Sequence, residues 1–148
     1  MLITQGGRFS GWGLYLMEGK PVFTMNLLGI ERPKWKGAEA LAAGKHSIVF
    51  DWKMANTGGA FGRGGSGTMF VDDKQVAQME LPRTLPFTFA WDETLDVGLD
   101  TGTPVDDADY QAPFTFPGKL NKITVDLGET SVTPAALAEF NERAATKD

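Results

Sequence analysis

Apolar residues recur at every second position along much of this chain, and that spacing restricts its fold more than any other feature. Leu85, Phe87, Phe89 and Trp91 alternate without a break, and Ile48, Phe50 and Trp52 alternate with Val49 and Asp51. Successive side chains of an extended strand point to opposite faces, so period 2 gathers each set on one face of a sheet. A helix carrying the same pattern would scatter its apolar residues around its surface. Trp12, Leu14 and Leu16 alternate with Gly13, Tyr15 and Met17; Glu18-Gly19-Lys20-Pro21 then supplies a turn, and Val22, Phe23, Met25 and Leu27 follow. Two such runs a hairpin loop apart predict an antiparallel pair. A second pair is expected where residues 68–71 and 75–79 flank Asp72-Asp73-Lys74. Leu120, Ile123, Val125 and Leu127 predict a last strand within residues 119–127.

The tail differs. Thr133 suits an N-cap, Pro134 suits the first helical position, and Leu137, Phe140 and Ala144 share one helical face. A short helix is expected over residues 134–145. Short strands separated by turn signals, with one terminal helix, predict a single all-β, antiparallel β-sandwich over residues 1–148. With 148 residues, 18 of them glycine and 8 proline, the chain fits one turn-rich domain.

A net charge of −5 lacks the basic footprint that nucleic acid or an anionic membrane surface requires. No apolar run reaches the roughly 20 residues of a membrane-spanning helix, and Met1-Leu2-Ile3-Thr4-Gln5-Gly6-Gly7 has no signal-peptide character. The expected compartment is the cytoplasm, unless the chain is a fragment of an exported protein. Without cysteine there are no disulfides, thiolate metal sites or cysteine nucleophiles.

Residues 56–67 are glycine-dense, and residues 62–67 match G-x-G-x-x-G. A dinucleotide fingerprint needs a helix after its glycines, whereas Thr68-Met69-Phe70-Val71 is a strand sequence. A flexible inter-strand loop is expected, with Arg63 as the residue that could hold a small anion. Asp92, Glu93, Asp96, Asp100, Asp106, Asp107 and Asp109 form an acidic stretch. Its plain interpretation is a solvated, turn-forming surface. The functional alternative is a calcium site from Asp92, Asp96, Asp100 and Asp106, since Ca²⁺ takes six to eight oxygens in a flexible shell. Glu93 and Asp96 could serve as an acid–base pair of a sandwich glycan hydrolase or lyase. His46 is the single histidine and is expected to be an ordinary strand residue. Trp52 and Trp91 belong to core-type runs, whereas Trp35, set among Arg32, Lys34 and Lys36, is the tryptophan expected at the surface, where it could act as a ligand residue stacking on a sugar ring.

Gly6-Gly7-Arg8-Phe9-Ser10-Gly11-Trp12-Gly13-Leu14-Tyr15-Leu16 and Gly19-Lys20-Pro21-Val22-Phe23 resemble the start of the C-terminal region of bacterial arylsulfatases. The likeness continues through Leu41-Ala42-Ala43-Gly44-Lys45-His46-Ser47-Ile48-Val49-Phe50 and Val71-Asp72-Asp73-Lys74-Gln75-Val76-Ala77. It is densest in Trp91-Asp92-Glu93-Thr94-Leu95-Asp96-Val97-Gly98 and Asp100-Thr101-Gly102-Thr103-Pro104-Val105. The resemblance implies a concanavalin-like (jelly-roll), laminin-G-like sandwich that accompanies a catalytic domain. That domain's signature, Cys or Ser followed by x-Pro-x-Arg, occurs nowhere in this chain, so no catalytic residue carries over. Asp73 stands where the hairpin turn would commonly have glycine.

The resemblance therefore leads to the expectation of a non-catalytic accessory module requiring no cofactor, which docks on a sulfatase-type catalytic domain or self-associates as a homo-oligomer. The alternatives are a lectin-like carbohydrate-binding module, with or without calcium, and a sandwich glycan hydrolase or lyase. Docking requires an exposed apolar patch; sugar binding requires an exposed aromatic with polar neighbours.

Overall fold

The computed structural model describes residues 1–59, 62–85 and 93–128. These form ten strands: β1 (Ile3–Gly6), β2 (Gly11–Met17), β3 (Lys20–Asn26), β4 (Lys34–Lys36), β5 (Ile48–Gly59), β6 (Gly62–Val71), β7 (Lys74–Leu81), β8 (Leu95–Val97), β9 (Leu99–Asp100) and β10 (Phe114–Thr115). They build a five-stranded sheet in the order β4-β3-β2-β1-β8, a three-stranded sheet β5-β6-β7 and a two-stranded ribbon β10-β9, antiparallel throughout. No helix occurs among the described residues. The expected helix 134–145 and most of the run from Leu85 to Trp91 lie outside them.

Two hairpins follow the turn chemistry of their sequences. Glu18 (φ 53°) and Gly19 (φ 76°) join β2 to β3, and Asp72 (φ 48°) and Asp73 (φ 65°) join β6 to β7. A two-residue connection with both φ values positive matches the right-handed twist of the flanking strands. Aspartate tolerates that conformation, so the second turn forms without glycine.

Alternation along β2 and β3 divides the core in two. Trp12, Leu14, Phe23 and Met25 face one side, where they meet Leu2, Ile3, Trp35 and, from the three-stranded sheet, Phe50, Trp52 and Met69. Tyr15, Met17 and Val22 face the other side and pack with Met1, Tyr110 and Phe114. The five-stranded sheet is therefore covered on both faces, by the three-stranded sheet and by the chain around β9 and β10. Rings dominate the junction of the two larger sheets: Phe23 and Phe50 stack at 3.5 Å between centroids, and Trp35 meets Phe50 edge-on at 5.1 Å.

Four expectations need correcting. The glycine-dense stretch is not a loop: β5 runs through Gly59, and β6 starts at Gly62 and contains the whole G-x-G-x-x-G match. The glycines sit in a strand because rings lie against its backbone. A Cβ at Gly65 would fall 2.4 Å from Trp52 Cζ2, and one at Gly67 would fall 2.7 Å from Phe50 Cζ and Trp35 Cε2. Trp35 is buried at 1% exposure, its indole N–H donating to the Gly67 carbonyl at 2.7 Å, while its charged sequence neighbours on β4 face elsewhere. Residues 119–127 form no ladder; Leu120 and Ile123 pack on the core, but Val125 and Leu127 are 57% and 84% exposed. Finally, His46 precedes β5 instead of lying within it.

Candidate functional site

The acidic stretch fastens the chain around β9 and β10 to the back of the five-stranded sheet. Asp96 accepts hydrogen bonds from the Thr101 amide (3.0 Å) and from the hydroxyls of Thr101 and Thr94, which hold its carboxyl below the usual range against a desolvation that opposes them. Asp100 is buried and accepts from the Tyr110 hydroxyl at 2.6 Å and the Gly102 amide at 3.2 Å. Desolvation raises its pKa, with the Asp96 and Glu93 charges adding to the rise and the two hydrogen bonds opposing it. Asp106, also buried, pairs with Lys34 at 2.8 Å and accepts from the Ala108 amide at 3.0 Å. Asp109 binds Lys34 at 2.7 Å and accepts from the Tyr15 hydroxyl at 2.6 Å. Burial and these carboxylates push both phenols above their ordinary range.

Each described member of the expected calcium set thus has its own protein donors, and Asp92 lies outside the described residues. Among the described residues no group of three or more His, Asp or Glu is placed to hold a metal ion. Glu93 Oε1 accepts from the Thr103 amide and hydroxyl, a staple between two turns. These carboxylates do structural work. Tyr110→Phe removes the donor from buried Asp100 and is expected to cost about 2 kcal/mol in urea unfolding at neutral pH. The deficit should narrow in acid: a carboxyl with a raised pKa destabilises the fold only while it is ionised.

Arg63 lies in β6, and its carbonyl accepts from both the amide (2.9 Å) and the hydroxyl (2.7 Å) of Thr84. The G-x-G-x-x-G match runs through the middle strand of a sheet, so it forms no amide cradle for phosphate.

A different place stands out, one that periodicity alone does not reveal. The β1–β2 turn and the β3–β4 loop lie at the same end of the five-stranded sheet. Asn26, 1% exposed, ties them together: its side-chain amide donates to the carbonyls of Gly7 (2.8 Å) and Arg8 (3.0 Å), and its Oδ1 accepts from the Gly29 amide (2.7 Å). Leu28 is held at φ 58°, a left-handed backbone that costs a non-glycine residue about 1–2 kcal/mol. Within this fixed frame Phe9, Leu28 and Ile30 are 55%, 45% and 80% exposed. Leu95, at the β8 end beside Gly6, is 52% exposed. Arg8 lies over the Phe9 ring at 5.7 Å, and Arg83 pairs with Glu31 at the rim. A sequence signal for this surface exists: Leu27-Leu28-Gly29-Ile30 continues the apolar character of β3 past its end and breaks its alternation.

Among the described residues this end of the sheet presents exposed apolar side chains, Phe9, Leu28 and Ile30, beside the Arg83–Glu31 ion pair. No family model, no curated protein and no solved structure matches the chain.

Proposed function

We propose that the chain is a non-catalytic accessory module, a concanavalin-like sandwich akin to the C-terminal region of bacterial arylsulfatases, which docks on a catalytic domain through the Phe9, Leu28 and Ile30 surface. One observation carries this: a leucine kept in a left-handed backbone by a buried asparagine, with its apolar side chain and those of two neighbours left in solvent. Strain held in place by a buried clamp, together with large exposed apolar residues, fits a pre-ordered contact surface. The sharing of one aromatic core by the two larger sheets supports the sandwich assignment. Burial of Trp35, the surface candidate for sugar stacking, favours docking over carbohydrate binding.

The test is co-expression with a bacterial arylsulfatase catalytic domain stripped of its own C-terminal region, followed by sedimentation velocity. A stable one-to-one complex is expected. Ile30→Asp should weaken it by about 2 kcal/mol or more, roughly 30-fold. Because Ile30 is 80% exposed, its stability should change by less than ~0.5 kcal/mol. Leu28→Gly should also weaken docking with little change in folding stability, since relief of the left-handed strain offsets the larger unfolded-state entropy of glycine. Absence of a complex, with titration of sulfated or neutral glycans giving heat instead, would overturn the docking assignment.

A further inference from the structure

At the opposite end of the five-stranded sheet, residues 37–47 run as a strap from β4 to β5 and touch both large sheets. On one side the Gly37 amide donates to the Pro21 carbonyl and the Leu41 amide to the Gly19 carbonyl, both at 2.9 Å, fixing the strap to the β2–β3 hairpin. On the other side it grips the β6–β7 turn. The Ser47 amide donates to Asp72 Oδ1 at 2.8 Å, and the Asp72 amide returns a bond to the Ser47 carbonyl at 2.9 Å.

His46 sits in this grip with both ring nitrogens engaged. Nδ1 is 2.7 Å from Asp72 Oδ2, and Nε2 is 2.9 Å from the Ala42 carbonyl. A backbone carbonyl only accepts, and so does an ionised carboxylate. Neutral imidazole carries one N–H and cannot satisfy both, so this geometry requires the imidazolium. The Ser47 amide and His46 itself hold the Asp72 carboxyl below its usual range, which keeps the shared proton on the ring. We propose that His46 is a proton-operated latch: the doubly protonated ring ties the strap to Asp72 on the β6–β7 turn and to its own Ala42 carbonyl at once, and loss of one proton breaks one of these ties and loosens a grip that the Ser47–Asp72 bonds then hold alone.

The direction is set by the same contacts. The Asp72 carboxylate first, then the Ala42 carbonyl, raise the His46 pKa against a small desolvation. A raised folded pKa stabilises the closed state fully below the ordinary imidazole value, and the contribution disappears as pH rises through the folded pKa. Asp72 is the charge in contact with the ring. Glu39 and Lys45 on the strap, Asp73 and Lys74 on the gripped turn, and Glu18 and Lys20 on the β2–β3 turn are the other charges these elements carry; among the described residues none of them pairs with His46. The latch lies away from the Phe9, Leu28 and Ile30 surface and does not depend on what docks there.

With a single histidine in the chain, ring ¹⁵N spectra of untagged protein report on His46 without ambiguity. Both nitrogens are expected to be protonated at pH 6, and the midpoint should lie above the ordinary imidazole value. Asp72→Asn should bring that midpoint back toward the ordinary value. Hydrogen-exchange protection of the Ser47 and Leu41 amides should fall across the wild-type titration relative to sheet amides such as Leu14, and this loss should vanish in His46→Gln. An unprotonated ring nitrogen at pH 6, a midpoint unmoved by Asp72→Asn, or strap protection that stays flat through the titration would each refute the latch.

Discussion

Replacing Lys34 with methionine is expected to lower the unfolding free energy by about 3 kcal/mol, seen as a fall in the urea midpoint at unchanged slope. The ammonium lies 2.8 Å from Asp106 and 2.7 Å from Asp109, the two carboxylates that hold the chain before β10 against the sheet. Asp106 is 1% exposed, and without Lys34 it keeps the Ala108 amide but loses its counter-charge. Removing one partner of a buried pair leaves a charge in low dielectric, which costs about 3–5 kcal/mol. The lower end applies because Lys34 retains 29% exposure, so water reaches part of the site. Adding Asp106→Asn to the variant should recover part of the loss, since the amide keeps an acceptor for Ala108 and carries no charge. Stability should also change with pH. Burial pushes the Asp109 carboxyl up, but the bonds from Lys34 and Tyr15 outweigh it and hold the group below its usual range. A depressed pKa stabilises the fold above the ordinary carboxylate value, and that contribution is lost as pH falls through the folded pKa. In Lys34→Met this acid-labile share should shrink.

How far such contacts can be anticipated depends on whether local spacing or distant partners set them. The hairpins of β2–β3 and β6–β7 are legible because alternation and turn residues act within a few positions. Lys34 and Asp109 are 75 positions apart, and nothing in either segment names the other. The acidic stretch therefore looks like a single site in the sequence. In the fold its described carboxylates are spread over separate partners: Glu93 binds Thr103, Asp96 binds Thr94 and Thr101, Asp100 binds Tyr110, Asp107 pairs with Arg32, and Asp106 and Asp109 share Lys34. The apolar end escapes notice for a related reason: Phe9 and Leu28 are ordinary turn and loop residues until Asn26 joins their loops.

Glycine and tryptophan mislead in opposite directions. Glycine density suggests a loop, because a chain without side chains gains freedom when unpaired. Here Gly65 and Gly67 leave room on the strand for rings, a role visible only when Trp52, Phe50 and Trp35 are placed over them. Trp35 stands between lysines, which suggests a surface position. On a strand those lysines share the opposite face, and period 2 applied to this short segment puts the indole inside.

Truncating that indole should be the most damaging single change in the described chain. Trp35→Ala is expected to cost about 3–5 kcal/mol. Trp35 meets Phe23, Phe50 and Trp52 edge-on at 5.8, 5.1 and 6.1 Å, so its loss opens a void where the two larger sheets meet. It also strips the Gly67 carbonyl of a buried 2.7 Å hydrogen bond. Gly67→Ala attacks the same contact from the other side: the new methyl would sit 2.7 Å from Trp35 and Phe50 ring atoms, and overpacking of this kind costs about 1–3 kcal/mol. The two changes should not add. Once the indole is gone, part of the clash disappears and the methyl fills some of the space, so the double variant should be more stable than the sum of the single effects predicts. Urea unfolding of all four proteins measures that coupling. Strict additivity would mean that Trp35 and Gly67 do not share the packing on which the junction of the sheets rests.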